Sequence, residues 1–174
     1  MTTGSTYTLI NPRTKALAFK VCCFNESANF DHLQRLRYYS VLLVESGSGM
    51  VRADFSEYPF AGHSLFCFSP YQPFMVEERE PVIGLALHFH PDFFCIHKHQ
   101  KEVACNGVLF NNIYQPPILV LTDVESESLL QLVKQMKAEL DVGGLAQYEL
   151  LVSYLKIFLI TASRIKVEQH PAAK

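Results

Sequence analysis

His88 and His90 stand two residues apart in Leu87-His88-Phe89-His90, and His63, His97 and His99 lie elsewhere in the chain. Alternate side chains of a strand leave on one face, and neutral imidazoles so placed can ligate Zn, Fe or Mn. The H-x-H pair is therefore half of a metal site or, without further donors, a polar spot on an apolar face. On the same face as His88 fall Gly84 and Ala86, opposite Leu85, Leu87 and Phe89. Gly and Ala leave volume where a larger side chain would fill an interior, and one imidazole among aromatics supplies the few polar groups typical of ligand sites. Gly84, Ala86 and His88, with Phe74 and Val76 of the neighbouring strand, are thus the expected small-molecule pocket. The alternative is that Gly84 and Ala86 simply permit close packing. His90 reads as a strand-end residue leading into Pro91. No histidine has a nucleophile and an acid at a telling spacing, so no catalytic residue is assigned.

The segments that must hold this face are short, apolar and punctuated by Gly and Pro. Residues 38–45 and 50–55 flank Gly47-Ser48-Gly49, expected to be the loop of a hairpin in which glycine supplies positive φ. A Pro59-Phe60-Ala61-Gly62 corner leads to residues 64–68, a Pro70–Pro73 turn leads to 74–77, and 82–90 follow. Such spacing predicts an antiparallel sandwich or small barrel. Residues 2–14 read as an arm or loop, 16–24 as a first strand, and 25–32 as a polar connection. A short helix is expected near 91–96, where Pro91 suits a first helical position and Asp92 the macrodipole. Residues 97–117 show no period, with a turn near Asn106-Gly107 and an exposed Asn111-Asn112; 118–121 read as a last strand.

Thr122-Asp123-Val124-Glu125 fits a capping box, in which side-chain oxygens satisfy the orphan amides of a helix start. Leu129, Val133, Met136 and Leu140 then share one face, and Gly143-Gly144 ends the helix. A second helix spans about 145–167, before Pro171. It carries two apolar seams: Tyr148, Val152, Leu155, Leu159 and Ala162, and beside them Leu151, Tyr154, Phe158 and Ile165. A rim helix normally shows a single stripe of roughly 100°, so the second seam is assigned to another subunit; the alternative is one intramolecular core. The expected homodimer interface is Tyr148, Leu151, Val152, Leu155, Phe158 and Leu159, in two-fold pairing with Glu149, Lys156 and Arg164 as a polar rim.

The 174 residues suit one compact domain. A net charge of −2 and a charged fraction of 18% exclude the electrostatic footprint of a nucleic-acid binder. The five cysteines (22, 23, 67, 95 and 105) lie in or beside apolar segments without zinc-finger spacing, and read as reduced thiols. No secretory signal opens the sequence, and no apolar run reaches the roughly 18 residues that span a bilayer. A soluble, cytoplasmic protein is expected, with no membrane partner.

This order resembles the N-terminal sensing domain of AraC-type (AraC/XylS) transcription regulators, a cupin-like barrel followed by two helices. The resemblance covers most of residues 36–166. It is carried by Gly47-Ser48-Gly49, Gly62-His63-Ser64-Leu65-Phe66-Cys67-Phe68-Ser69-Pro70 with Gln72-Pro73, Phe89-His90-Pro91-Asp92-Phe93, Leu109-Phe110-Asn111-Asn112, and the segment 148–164 for the dimerisation helix. His63 departs from it, since the family commonly has Asp there. Metal-binding cupins carry H-x-H and a following Glu just after the first Gly of the hairpin, with another His past the P-x-G corner. Here those places hold Met50-Val51-Arg52-Ala53-Asp54 and Ser64-Leu65-Phe66, so no metal and no cofactor is expected.

The resemblance implies a mainly β fold with C-terminal helices: a cupin-like antiparallel β-barrel of jelly-roll type, residues 1–121, then a dimerising helix pair, 122–168, in the same compact domain, and the start of a linker, 169–174. It implies the effector-sensing and dimerisation domain of a bacterial regulator, without catalysis, binding a small molecule in the barrel. DNA would be met only through the family's helix-turn-helix units, which these residues lack. The chain is expected to be cut at that domain boundary, or else to be a free-standing cupin-like binding protein. The rival function is a metal-dependent cupin enzyme, an isomerase or dioxygenase.

Overall fold

The computed structural model describes residues 6–24, 30–94, 108–110 and 116–170. Within them the elements are β1 (Thr6–Ile10), β2 (Leu17–Cys23), β3 (Tyr39–Ala53), β4 (Ser56–Ala61), β5 (Ser64–Phe68), β6 (Phe74–Phe89), β7 (Ile118–Val120), α1 (Asp123–Val142) and α2 (Gln147–Gln169). The strand order is β1-β2-β6-β3-β5-β7, with β4 also on β3, and every pairing is antiparallel. A mainly β protein with two C-terminal helices is thus what the chain forms.

Two long strands organise the sheet. β3 and β6 pair from Tyr39↔Phe89 to Ala53↔Phe74, with register slips between Val44 and Gly49. On its other side β3 pairs first with β5, from Ser40 to Val44, and then with β4, from Ser48 to Ala53. The slips act as bulges, which insert a residue and bend the strand. Their effect appears in the parity of the buried face: Leu42 and Val44 share a core with Val51 and Ala53, so the inward positions change from even to odd across the bend. Both halves of the ribbon thereby turn one face into a common interior.

The expected hairpin at Gly47-Ser48-Gly49 is therefore corrected. These residues lie inside β3, and the chain reverses at Asp54-Phe55, where Asp54 takes φ 54°. Glycine is required at the bend by close approach of backbones. A Cβ on Gly49 would stand 2.0 Å from the Glu77 carbonyl oxygen, and one on Gly47, at φ +104°, 2.4 Å from that of Pro81. The segments 74–77 and 82–90 are likewise one strand. The N-terminal arm is corrected too: β1 is an edge strand on β2, registered Thr6↔Cys22 to Ile10↔Leu17, and it packs Tyr7 and Leu9 against a core. Of the helix expected at 91–96, the described part is a turn, with the Phe93 and Phe94 amides donating to the His90 carbonyl. Cys95, Ile96, His97, His99, Cys105, Asn106-Gly107 and Asn111-Asn112 lie outside the described residues.

The sheet separates two cores. The inner one holds Leu42, Val44, Phe66, Phe68, Phe74, Val76 and Ala86. The outer one joins Phe19, Val21, Val41, Leu43, Leu85, Leu87 and Phe89 to both helices. α1 starts as expected: the Glu125 amide donates to Thr122 Oγ1 at 3.2 Å and the Thr122 amide to Glu125 Oε2 at 2.9 Å. It buries Leu129, Val133 and Met136, and ends at Gly143 in the left-handed region. α2 sinks both of its seams into the same outer core, with Leu151, Leu155, Phe158, Leu159 and Ala162 each 0% exposed.

Candidate functional site

At both ends of β6, on either side of the exposed Glu78 and Glu80, pleating sends the even-numbered residues inward, so Phe74, Val76, Gly84, Ala86 and His88 belong to the inner face. Phe74 and Val76 sit on the same strand as the others, not on a neighbour as the sequence implied. What draws the two ends together is Phe30, whose ring lies 6.1 Å from that of His88 and 5.8 Å from that of Phe74. Phe30 is pinned there by its carbonyl, which accepts from the Val76 amide at 2.8 Å. Stacking of Phe68 on Phe74 at 4.1 Å and the tilted packing of Phe24 on Phe30 at 5.1 Å complete an aromatic surround.

The polar centre of this face is a buried pair. Ser40 on β3 stands opposite His88, and its Oγ lies 2.9 Å from His88 Nδ1, with both residues at most 5% exposed. On the other flank Lys20 of β2 is the cross-strand partner of His88. Burial first, and the Lys20 ammonium second, push the His88 pKa down to about 4. The ring is therefore neutral at pH 7, with Nδ1 engaged by Ser40 and Nε2 without a partner among the described residues. A neutral imidazole nitrogen, a hydroxyl and a nearby ammonium can bind a polar group of a small molecule whose body meets phenyl rings. Burial also pushes the Cys22 thiol up, on this same face, so it is not a reactive thiolate.

Gly84 has a different reason from the one expected: a Cβ there would stand 2.2 Å from the Leu43 carbonyl oxygen, so glycine serves strand approach rather than open volume. His90 turns to the Asp92 amide, which donates to its Nδ1 at 3.0 Å, and His63 Nε2 pairs with Asp123 at 3.0 Å at the start of α1. Among the described residues no group of three or more His, Cys, Asp or Glu side chains is placed to hold a metal. Ser40, Lys20 and Phe30 were missed in the sequence. A serine inside Tyr39-Ser40-Val41-Leu42 was the available signal, because a hydroxyl in a buried strand needs a partner.

Burial corrects four of the six expected dimer residues and leaves Tyr148, 44% exposed, and the half-buried Val152. Leu151, Leu155, Phe158 and Leu159 are inaccessible to any second chain. Tyr148 packs its ring on Phe93 at 4.9 Å and donates its hydroxyl to the Phe93 carbonyl at 3.1 Å, while Val152 is half-buried against the outer core. The outward face of α2 carries Leu150 and Ile157, 37% and 49% exposed, with the exposed Ser153 and Arg164, while Tyr154 and Thr161 are half-buried at its edge. The last turns of α2 are fastened to the sheet: Lys166 Nζ donates to the Pro116 carbonyl at 3.3 Å and Gln169 Nε2 to that of Val120 at 2.6 Å. No described helix is long and apolar enough to cross a membrane.

His88 makes stability depend on acid. Its folded pKa lies below the ordinary 6.5, so the unfolded chain binds the proton more tightly, and stability present above pH 6.5 is lost as pH falls toward 4. The difference amounts to at most roughly 3 kcal/mol. Urea denaturation at pH 7 and pH 4.5 should show a loss of this order that is much smaller in His88→Gln.

No protein-family model matches the chain, and no curated protein matches it in sequence. Solved structures do match in shape. The AraC-like transcriptional activator CuxR is 11% identical, with a TM-score of 0.51, over 85% of this chain and 49% of its own. The chain thus spans about half the length of that activator. A cupin 2 conserved barrel domain protein from Salinispora arenicola (14% identical, TM-score 0.36) aligns with 51% of this chain and 77% of its own. Salicylate 1,2-dioxygenase from Pseudoaminobacter salicylatoxidans (10%, 0.36) aligns with 56% of this chain and 28% of its own. At these identities the likeness to the activator is one of fold.

Proposed function

We propose that this chain is the effector-sensing and dimerising part of an AraC-type transcription regulator, working in the cytoplasm and without catalysis of its own. A small molecule binds the inner face around His88, Ser40 and Ala86, beside the packed rings of Phe30 and Phe74. The observation that carries the reading is the arrangement of one sheet with two faces: the strands bearing the buried His88–Ser40 pair inward bear the helix pair outward. Likeness of fold to an AraC-like activator over 85% of the chain points the same way. Phe66 and Phe68 of β5 touch the inner core, β5 pairs with β7, and β7 is fastened to the end of α2 through Gln169. Filling the interior would then shift α2, to which DNA-binding units are attached in such regulators.

Thermal-shift screening of metabolites tests this. A ligand of the folded state at a hundred times its Kd adds about 2.7 kcal/mol, or roughly 5–10 °C in Tm for a chain of this size. The gain should vanish in Ala86→Trp and fall in His88→Phe. Binding indifferent to both substitutions, or stoichiometric metal with turnover, would overturn the assignment.

The dimer is proposed through the outward seam of α2. Leu150 and Ile157 are exposed and, with the half-buried Tyr154 and Thr161, follow spacings of four, three and four, the stripe that pairs helices, flanked by Lys156 and Arg164. Ile157→Lys is expected to leave the fold intact and to yield monomer in light scattering at micromolar concentrations. A monomeric wild type under those conditions refutes the pairing.

A further inference from the structure

The turn between β1 and β2 is built rigidly. Asn11 Oδ1 accepts from the Arg13 and Thr14 amides at 2.9 and 3.3 Å, the Asn11 carbonyl from the Lys15 amide at 2.9 Å, and Lys15 takes φ 59°. So fixed, the turn holds Ile10, Pro12 and Arg13 across a cleft from Tyr148 in the first turn of α2, with Leu9 and Ala18 also lining it. The cavity is about 550 Å³, inside the roughly 300–1,000 Å³ range of small-molecule sites. It adjoins the outer core, to which Leu9 and Ala18 belong, and His88 is not among its lining residues.

Its lining is apolar with one cation at the Arg13 end, while burial and then the Asp92 and Glu149 carboxylates push the Tyr148 hydroxyl up at the other. Leu9, Ile10, Pro12 and Ala18 are apolar, and no acidic residue is among the described lining. The Arg13 side chain has no acidic partner among the described residues. Asn11 has its oxygen committed to the turn, leaving its amide N–H groups as donors. The Tyr148 hydroxyl already donates to the Phe93 carbonyl, which fixes the ring as a wall. A guanidinium and a carboxamide donor above an apolar floor suit a planar anion with an apolar body.

We infer that this cleft is a second binding site, for a monocarboxylate with an aromatic or short aliphatic body. The carboxylate meets Arg13 and the Asn11 amide, and the body lies against Ile10, Pro12 and the Tyr148 ring. A ligand here bridges the N-terminal hairpin and α2, and β1 also reaches α1 through the Lys137 ammonium 5.2 Å from the Tyr7 ring centre. Its occupancy would therefore set how the hairpin holds the helix pair. The inference stands apart from the proposed inner-face site.

Calorimetric titration of the 174-residue protein with 2-naphthoate, joined to amide shift mapping, tests it. Saturable binding is expected, with shifts at Leu9, Ala18 and Tyr148. Arg13→Gln and Ile10→Glu change exposed side chains and should keep the fold; each is expected to weaken binding at least tenfold, about 1.4 kcal/mol. Arg13→Lys should recover part of the loss, neutral 2-naphthamide should bind at least tenfold more weakly, and Val124→Ala, an exposed change on α1, should change nothing. Absence of saturable binding, equal affinity in Arg13→Gln, or loss in Val124→Ala would each overturn the site.

Discussion

Replacing Leu155 and Leu159 together by alanine is expected to unfold this protein rather than to separate two copies of it. Both side chains are 0% exposed in the core that joins α2 to α1 and the outer face of the sheet. Truncating a buried leucine costs about 2–5 kcal/mol, from lost transfer energy and the cavity left behind. Domains of this kind hold only about 5–15 kcal/mol in all. The two sites are one helical turn apart and share neighbours, so their costs will not simply add. Tm should still fall by roughly 10–30 °C in calorimetry or circular dichroism. If these leucines formed an intermolecular seam, the same variant would be a folded monomer with little change in Tm. Leu155→Lys should abolish the folded state, because a lone ammonium there would have no partner for its charge.

Gly49→Ala should cost about 2–3 kcal/mol or more, seen as a lower urea midpoint at unchanged m-value. As the tip of a hairpin, where glycine would serve only to supply positive φ, that position would lose about 1–2 kcal/mol to alanine. Inside β3 the added Cβ would lie 2.0 Å from the Glu77 carbonyl oxygen, so the ribbon of β3 and β6 must open at its bend. Gly47→Ala should do comparable damage, as its φ of +104° adds backbone strain to the approach of the Pro81 carbonyl. Gly62 provides the contrast. Its φ is +72°, but nothing lies within 4 Å of the position of a Cβ, so Gly62→Asn should be mild.

What the sequence determined by itself was whatever short-range chemistry specifies. The capping box at Thr122 and Glu125, the stop at Gly143 and the buried stripe of Leu129, Val133 and Met136 are local patterns whose partners lie within a few turns. Alternation along 82–90 placed Gly84, Ala86 and His88 on one face for the same reason, since a strand repeats every two residues. The tertiary structure decided the rest. A glycine pair between apolar runs looks the same in a turn and in a bulged strand, and only the approach of β6 distinguishes them. Thr6–Ile10 is too short and too polar to announce a strand until β2 offers its edge. Helix periodicity says which residues of α2 are apolar, but not what covers them: the sheet and α1 take up most of both seams, leaving Tyr148, Leu150 and Ile157 partly outside. Ser40 and His88 are 48 residues apart in sequence, and a 2.9 Å contact over that distance exists only because β3 and β6 fold against each other in one register.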